Sequence, residues 1–174
     1  MTWMLWFVLT VTTWGFLDII YHSIRFGVGP LPSSMRAIRL ACQEIQEDQN
    51  MIYDVGGGFG IATKYFAKRF PTKNIQMIEV SYFSCLVAKI YCMNISNVTI
   101  VHGNFLNHSF PKRSFLYMYL YPSLMEKLAE QLHNWEGKVV SYVFSFRNLQ
   151  EKKRISISQH HGEQLFVYEF KKSM

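Results

Sequence analysis

The stretch Asp54-Val-Gly-Gly-Gly-Phe-Gly60 puts a carboxylate at the end of an apolar run, then glycine at every second position: Gly56, Gly58 and Gly60. Glycines so spaced suit a tight turn in which a ligand meets the backbone with no Cβ in the way. A carboxylate one residue inside that turn repels a phosphate. It suits a ligand bringing a cationic or hydrogen-bond-donating group to the strand end. Further on, Glu79 ends a second apolar run, where a carboxylate accepts hydrogen bonds from both hydroxyls of a ribose. Asn104 and Phe105 follow a third run; the amide oxygen can accept from an adenine amine and the ring can pack on the base. Tyr119 and Tyr121, in Tyr119-Leu-Tyr-Pro122, end a fourth apolar run beside the point where ligands bind, and are the candidate catalytic residues. The alternative for these two is plain packing against neighbouring helices.

These residues need a sheet whose strand ends converge. Met51–Val55 reads as a buried strand, followed by a helix from about Gly60 to Arg69 that Pro71 stops. Ile75–Val80 is the second strand, Phe83–Met93 a helix, Val98–Val101 the third strand and Phe115–Tyr121 the fourth. Pro122 opens a helix to about His133, and Val139–Phe146 is the fifth strand. Ile155–Ser158 and Leu165–Phe170 form a hairpin around His161-Gly162. Alternating strands and helices predict an α/β, Rossmann-like, doubly wound and mostly parallel seven-stranded sheet, closed by an antiparallel C-terminal hairpin. Before it, Ser33 or Ser34 caps a helix from Met35 to about Glu47. The segment Arg147–Lys153 is too short for a helix, so one flank of the sheet is expected to lie open to a partner or a membrane.

Three other ligand motifs fail on spacing. A dinucleotide fingerprint, Gly-x-Gly-x-x-Gly, meets Ile61 or Thr63 at its third glycine. A phosphate loop needs Gly-Lys-Ser/Thr, but Lys64 stands four residues past Gly60 and precedes Tyr65. There is no Gly-x-Ser-x-Gly elbow of a hydrolase. What the chain resembles is the class I S-adenosylmethionine-dependent methyltransferases, whose Asp/Glu-x-Gly-x-Gly-x-Gly motif is matched from Asp54 to Gly60, with the likeness running from about Phe26 to Phe170.

Within that superfamily it is similar to small membrane-anchored bacterial methyltransferases and their relatives, the mitochondrial protein-lysine methyltransferases. The shared features are a hydrophobic N-terminal helix, Gly29-Pro-Leu-Pro-Ser33, the glycine turn and the Tyr-Leu-Tyr-Pro element. The resemblance implies S-adenosylmethionine as cofactor, a lid containing Pro32 and Ser33 over it, and an amine acceptor such as a protein lysine. A small-molecule or lipid acceptor, or a domain that binds the cofactor without turnover, are the alternatives. Where the superfamily often has Asp after strand three, this chain has Asn104, which is expected to tune affinity rather than abolish binding.

The 174 residues suffice for one core, with 49% apolar and 17% charged side chains and a net charge of +6. The basic residues are scattered without an Arg/aromatic stripe, so no nucleic-acid partner is expected. Cys42, Cys85 and Cys92 lack metal-ligand spacing and read as reduced structural thiols, and His160-His161 has no Cys or carboxylate partner nearby, so no metal site is expected. From Met1 to Leu17 no side chain is charged. A helix over Thr2–Tyr21 would be about 30 Å long at about 1.5 Å per residue, long enough to cross a bilayer. There is no basic leader or small-x-small cleavage site. The expected organisation is a single-pass transmembrane anchor at 1–24, a linker or lid at 25–34 and the methyltransferase-like domain at 35–174. Arg25, Arg36 and Arg39 put that domain on the cytoplasmic side. The competing expectation is a hydrophobic helix packed on the domain itself.

Overall fold

The computed structural model describes residues 2–26, 32–157 and 163–171. A seven-stranded sheet in the order β3-β2-β1-β4-β5-β7-β6 organises the chain. Its strands are β1 (Met51–Val55), β2 (Asn74–Glu79), β3 (Val98–His102), β4 (Ser114–Met118), β5 (Gly137–Tyr142), β6 (Lys153–Ser156) and β7 (Gln164–Phe170). Strands β1 to β5 pair in parallel, whereas β7 runs antiparallel to both β5 and β6. The expected architecture is therefore present, with the last strand inserted beside β5 and β6 left as the edge. The expected hairpin turn at His161-Gly162 lies outside the described residues.

Alternation along the strands divides the core in two. Ile52, Phe115, Tyr117 and Val140 face the side covered by α2 (Met35–Cys42) and α3 (Ile61–Arg69). Tyr53, Val55, Leu116, Met118 and Val139 face α5 (Pro122–Gln131). Helix α4 (Tyr82–Cys92) packs beside α3 with Cys85, Ala88 and Cys92 inward. Full burial of side chains such as Phe66 and Phe115 contributes about 1.5–3 kcal/mol each.

Several elements end earlier than periodicity predicts, for local reasons. Helix α2 stops at Cys42 rather than Glu47. Lys73 Nζ draws away the carbonyls of Gln46, Glu47 and Gln49 (3.0, 2.9 and 2.9 Å), while Gln49 Oε1 accepts from Gln46 N at 2.9 Å. Strand β4 ends at Met118 because its neighbours do: Met118 pairs with Val55, after which β1 turns, and with Ser141, near the end of β5. Tyr119 and Tyr121 consequently stand beyond the ladder. Strand β5 stops at Tyr142, where Val143 takes a positive φ of 71°. The flank expected to be open is closed without a helix. Phe146 is buried there against Tyr168 and Phe170, with Leu149 packed on the same cluster.

Helix α1 runs from Thr2 to Phe26, and its apolar stretch Thr2–His22 has a mean hydropathy of 1.5 with little of it buried. Its contacts with the domain include Trp14, Gly15 and Asp18. Trp14 meets Phe83 edge-on at 5.9 Å, Gly15 is buried, and Asp18 Oδ2 accepts from Ser81 Oγ (2.5 Å) and Phe83 N (3.3 Å).

Candidate functional site

The C-terminal ends of β1, β2 and β4 open onto one cavity, whose walls include Asp54, Gly56, Gly57, Gly58, Phe59, Glu79, Phe105, Tyr117 and Tyr119. Pro32 and Ser33 lie at it from the segment before α2, and Ile19 and His22 close it from α1. The strand order reverses between β1 and β4, the position where open α/β sheets bind ligands.

The glycine turn explains the motif spacing. Gly56, Gly58 and Gly60 take φ of 73°, 56° and 79°, a region that costs other residues about 1–2 kcal/mol. A Cβ on Gly58 would meet nothing within 4 Å, so that position faces open space. Gly60 serves differently. It is the N-cap of α3 and packs against Ala88, away from the cavity lining. Gly57, which the every-second pattern passes over, is required as well. A Cβ there would stand 2.7 Å from both Asp54 Oδ2 and Met77 Cγ. The third consecutive glycine was the signal for it.

Two carboxylates hold this turn. Asp54 is 3% exposed, and its Oδ2 accepts from Thr63 N (3.0 Å) and Thr63 Oγ1 (2.6 Å), tying β1 to the first turn of α3. Burial raises its pKa to about 6, with the Thr63 hydrogen bonds opposing and the Glu79 charge adding to the rise. Glu79 Oε2 accepts from Gly58 N at 3.0 Å, and Oε1 from Val80 N (2.9 Å) and Ser81 N (3.0 Å). A carboxylate offers about four acceptor sites, so Glu79 keeps capacity for a ligand while clamping the turn.

The remaining expected residues divide. Phe105 is buried and lines the cavity. Asn104 caps a short 3₁₀ turn, its Oδ1 accepting from Leu106 N at 3.0 Å, and faces an adjoining crevice with Tyr21, Arg25, Val80 and His102. That oxygen retains one lone pair for a ligand amine. Tyr119 lines the main cavity, with ring centroids 4.7 Å from Tyr142 and 6.1 Å from Phe144, and burial pushes its pKa up. Tyr121 is 38% exposed, outside the lining, and stacks on Phe144 at 5.3 Å. The expected catalytic pair thus separates into a wall residue and a rim residue.

Sequence reasoning passed over Tyr117, which the structure makes conspicuous. Its hydroxyl is the buried side-chain polar atom left without a hydrogen bond among the described residues, with Ser33 beside it but outside ordinary hydrogen-bond geometry. Burial raises its pKa strongly. Tyr117 pairs with Asp54 across β1 and β4, so the two share one face of the sheet. The signal was its place in the β4 run, where period two puts Tyr117 on the face of Ile52 and Asp54.

These features fit S-adenosylmethionine. The buried carboxylate Asp54 suits a cationic group, Glu79 suits ribose hydroxyls, Gly58 leaves room for a close approach, and Tyr117 has a hydroxyl awaiting a polar partner. Among the described residues, no group of three or more His, Cys, Asp or Glu side chains could hold a metal ion. Cys42, Cys85 and Cys92 are free, and burial raises the pKa of each.

No protein-family model matches the sequence, and no curated protein matches it either. Solved structures do. An RNA methyltransferase from Salinibacter ruber, in complex with S-adenosyl-L-homocysteine, is similar over 83% of this chain and 96% of its own, with a TM-score of 0.72 and 16% identity. A TehB-like S-adenosylmethionine-dependent methyltransferase from Corynebacterium glutamicum is similar over 80% of this chain and 90% of its own, with a TM-score of 0.59 and 12% identity. A third, an S-adenosylmethionine-dependent methyltransferase from Geobacter sulfurreducens in complex with S-adenosyl-L-homocysteine, has a TM-score of 0.52 and 13% identity. That match covers 64% of this chain and 48% of the other protein. At these identities the likeness establishes the fold: this chain has the fold of class I S-adenosylmethionine-dependent methyltransferases.

Proposed function

We propose that the protein is a methyltransferase using S-adenosylmethionine, tethered to a membrane by α1, and acting on an amine such as a protein lysine. The observation that carries the cofactor reading is the glycine turn, gripped by Asp54 and Glu79 and open to the cavity at Gly58. In this reading Asp54 favours the ligand's ammonium, Glu79 takes the ribose hydroxyls, Phe105 packs on the base, and Pro32 and Ser33 cover the site. Tyr117 adds a hydroxyl for the ligand's polar end. When bound, the cofactor supplies an electrophilic methyl group on sulfonium, and the chain's task is to position the acceptor and exclude water.

The amine reading rests on the aromatic wall. Tyr119 lines the cavity, Tyr142 and Phe144 pack on its ring, and Tyr121 stacks on Phe144 outside the lining. An aromatic, poorly hydrated entrance disfavours an ammonium over the neutral amine, the form with a lone pair to attack. A lipid acceptor is the second reading, favoured by the position of α1 against the cavity. A binding domain without turnover is the third.

The tether reading rests on the length and hydropathy of Thr2–His22 and on its exposure. Arg25, Arg36 and Arg39 beyond the span favour a single pass with the domain on the cytoplasmic side. The test is transfer of labelled methyl from S-adenosylmethionine by the full chain, in the presence of a total membrane fraction. Label in protein that hydrolyses to methyl-lysine supports the proposal. Label in extractable lipid or in added RNA replaces the acceptor, and no label anywhere, with cofactor binding intact, leaves the non-catalytic reading.

A further inference from the structure

Helix α4 carries an exposed apolar stripe that its place beside α1 explains. Tyr82, Leu86 and Ile90, with Met93 at the cap, are 60%, 47%, 62% and 73% exposed. At 100° per residue these four fall within about 80° of one another. Phe83, the residue that receives α1, adjoins the Ile90 edge of the stripe, and Lys89 adjoins the other edge. The buried side chains Ser84, Cys85, Ala88 and Cys92 occupy the opposite face. The helix contains no acidic residue.

The height of the contact matters most. Helix α1 meets α4 through Trp14, Gly15 and Asp18, which lie within the apolar span Thr2–His22 rather than after it. A Cβ on Gly15 would stand 2.5 Å from the Phe83 ring, so the two helices touch closely here. Gly15 is only about 10 Å along the helix from His22, at 1.5 Å per residue. A span of this length needs nearly all of its residues to cross a hydrocarbon core of about 30 Å. The first turn of α4 is therefore drawn to the depth of the headgroups and upper acyl chains.

We infer that the α4 stripe lies in the membrane surface, so that α1 and α4 together seat the domain on the bilayer instead of leaving it on a free tether. The occupant of the stripe is the headgroup and upper acyl layer of the leaflet that α1 enters, with Lys89 favouring anionic lipid. The inference rests on the tether reading but not on the methyl acceptor. It puts the cavity wall formed by Ile19 and His22 next to that surface.

The test reconstitutes the full chain in phosphatidylcholine/phosphatidylglycerol vesicles containing a lipid with a photoactivatable diazirine in its acyl chain, and maps the adducts by peptide. The expected result is labelling of the Tyr82–Met93 peptide within about threefold of that over Thr2–His22. It should stand at least tenfold above Pro122–Gln131, on the opposite face of the sheet. Leu86→Glu with Ile90→Glu, both exposed positions, should reduce α4 labelling to the level of α5 and leave α1 unchanged. Labelled α1 with α4 at the level of α5 overturns the inference and leaves the tether standing; a second copy covering the stripe gives that same result. Unlabelled α1 overturns the tether itself, and the inference with it.

Discussion

Asp54 serves two ends that pull against each other. Buried and bonded to Thr63, it fastens β1 to α3, yet its burial makes the ionised form costly and raises its pKa to about 6. Between the ordinary carboxylate pKa near 4 and that value, the folded state holds a proton that the unfolded chain has released. Stability from this group therefore falls as pH rises through the window and levels off above about 6. A cationic ligand needs the ionised form, so cofactor affinity should weaken as pH falls through about 6. In Asp54→Asn affinity should be weak and nearly flat with pH, as titration calorimetry from pH 5 to 8 would reveal. Tyr117 offers the cleaner substitution, since its buried hydroxyl lacks a partner. Tyr117→Phe should leave the free protein equally stable, or more stable by up to about 1 kcal/mol, while weakening cofactor binding about fivefold. Thermal melts with and without cofactor separate the two effects.

At the scale of elements, the strands and the turn were legible because burial and glycine spacing write themselves into composition. The alternating glycines forecast a tight turn after β1, and the alternation of strands with helices forecast the sheet. What stayed illegible arises between elements. The end of α2 depends on Lys73, distant in sequence, reaching three carbonyls. The end of β4 depends on where β1 and β5 turn away, so Tyr119 and Tyr121 left the strand and parted company. The close approach of Gly57 to Asp54 and Met77 likewise shows only once the strands are paired. Val143 is a further case. This β-branched residue holds a positive φ directly before Phe144, which stacks on Tyr119 and Tyr121. Relief of such strain is worth about 1–3 kcal/mol, offset in part by the greater freedom of an unfolded glycine. Val143→Gly should therefore raise stability slightly in chemical denaturation and lower the rate of methyl transfer, because Phe144 loses its brace.

Across the whole molecule, α1 is both an apolar helix and, through Ile19 and His22, a wall of the cavity. Asp18 accepts from the Ser81 hydroxyl, and the Ser81 amide donates to Glu79, so α1 and the Glu79 carboxylate share one residue. Asp18→Ala should therefore speed hydrogen exchange over 81–84 and weaken cofactor binding severalfold, although Asp18 is no part of the cavity lining. The sequence left two expectations for this helix, an anchor apart from the domain and a helix packed on it; the contacts of Trp14 and Asp18 with Phe83 and Ser81 join it to the domain. The most direct test of the central claim is S-adenosylmethionine binding by the full chain in nanodiscs, measured by calorimetry beside Gly58→Asn. Asparagine tolerates the left-handed backbone, and its side chain would enter the open space at Gly58. The expected result is saturable binding by the native chain and a loss of at least tenfold in the variant, with unchanged melting of the free proteins. Absence of binding at millimolar cofactor, or equal binding by Gly58→Asn, would contradict the assignment of this cavity to S-adenosylmethionine.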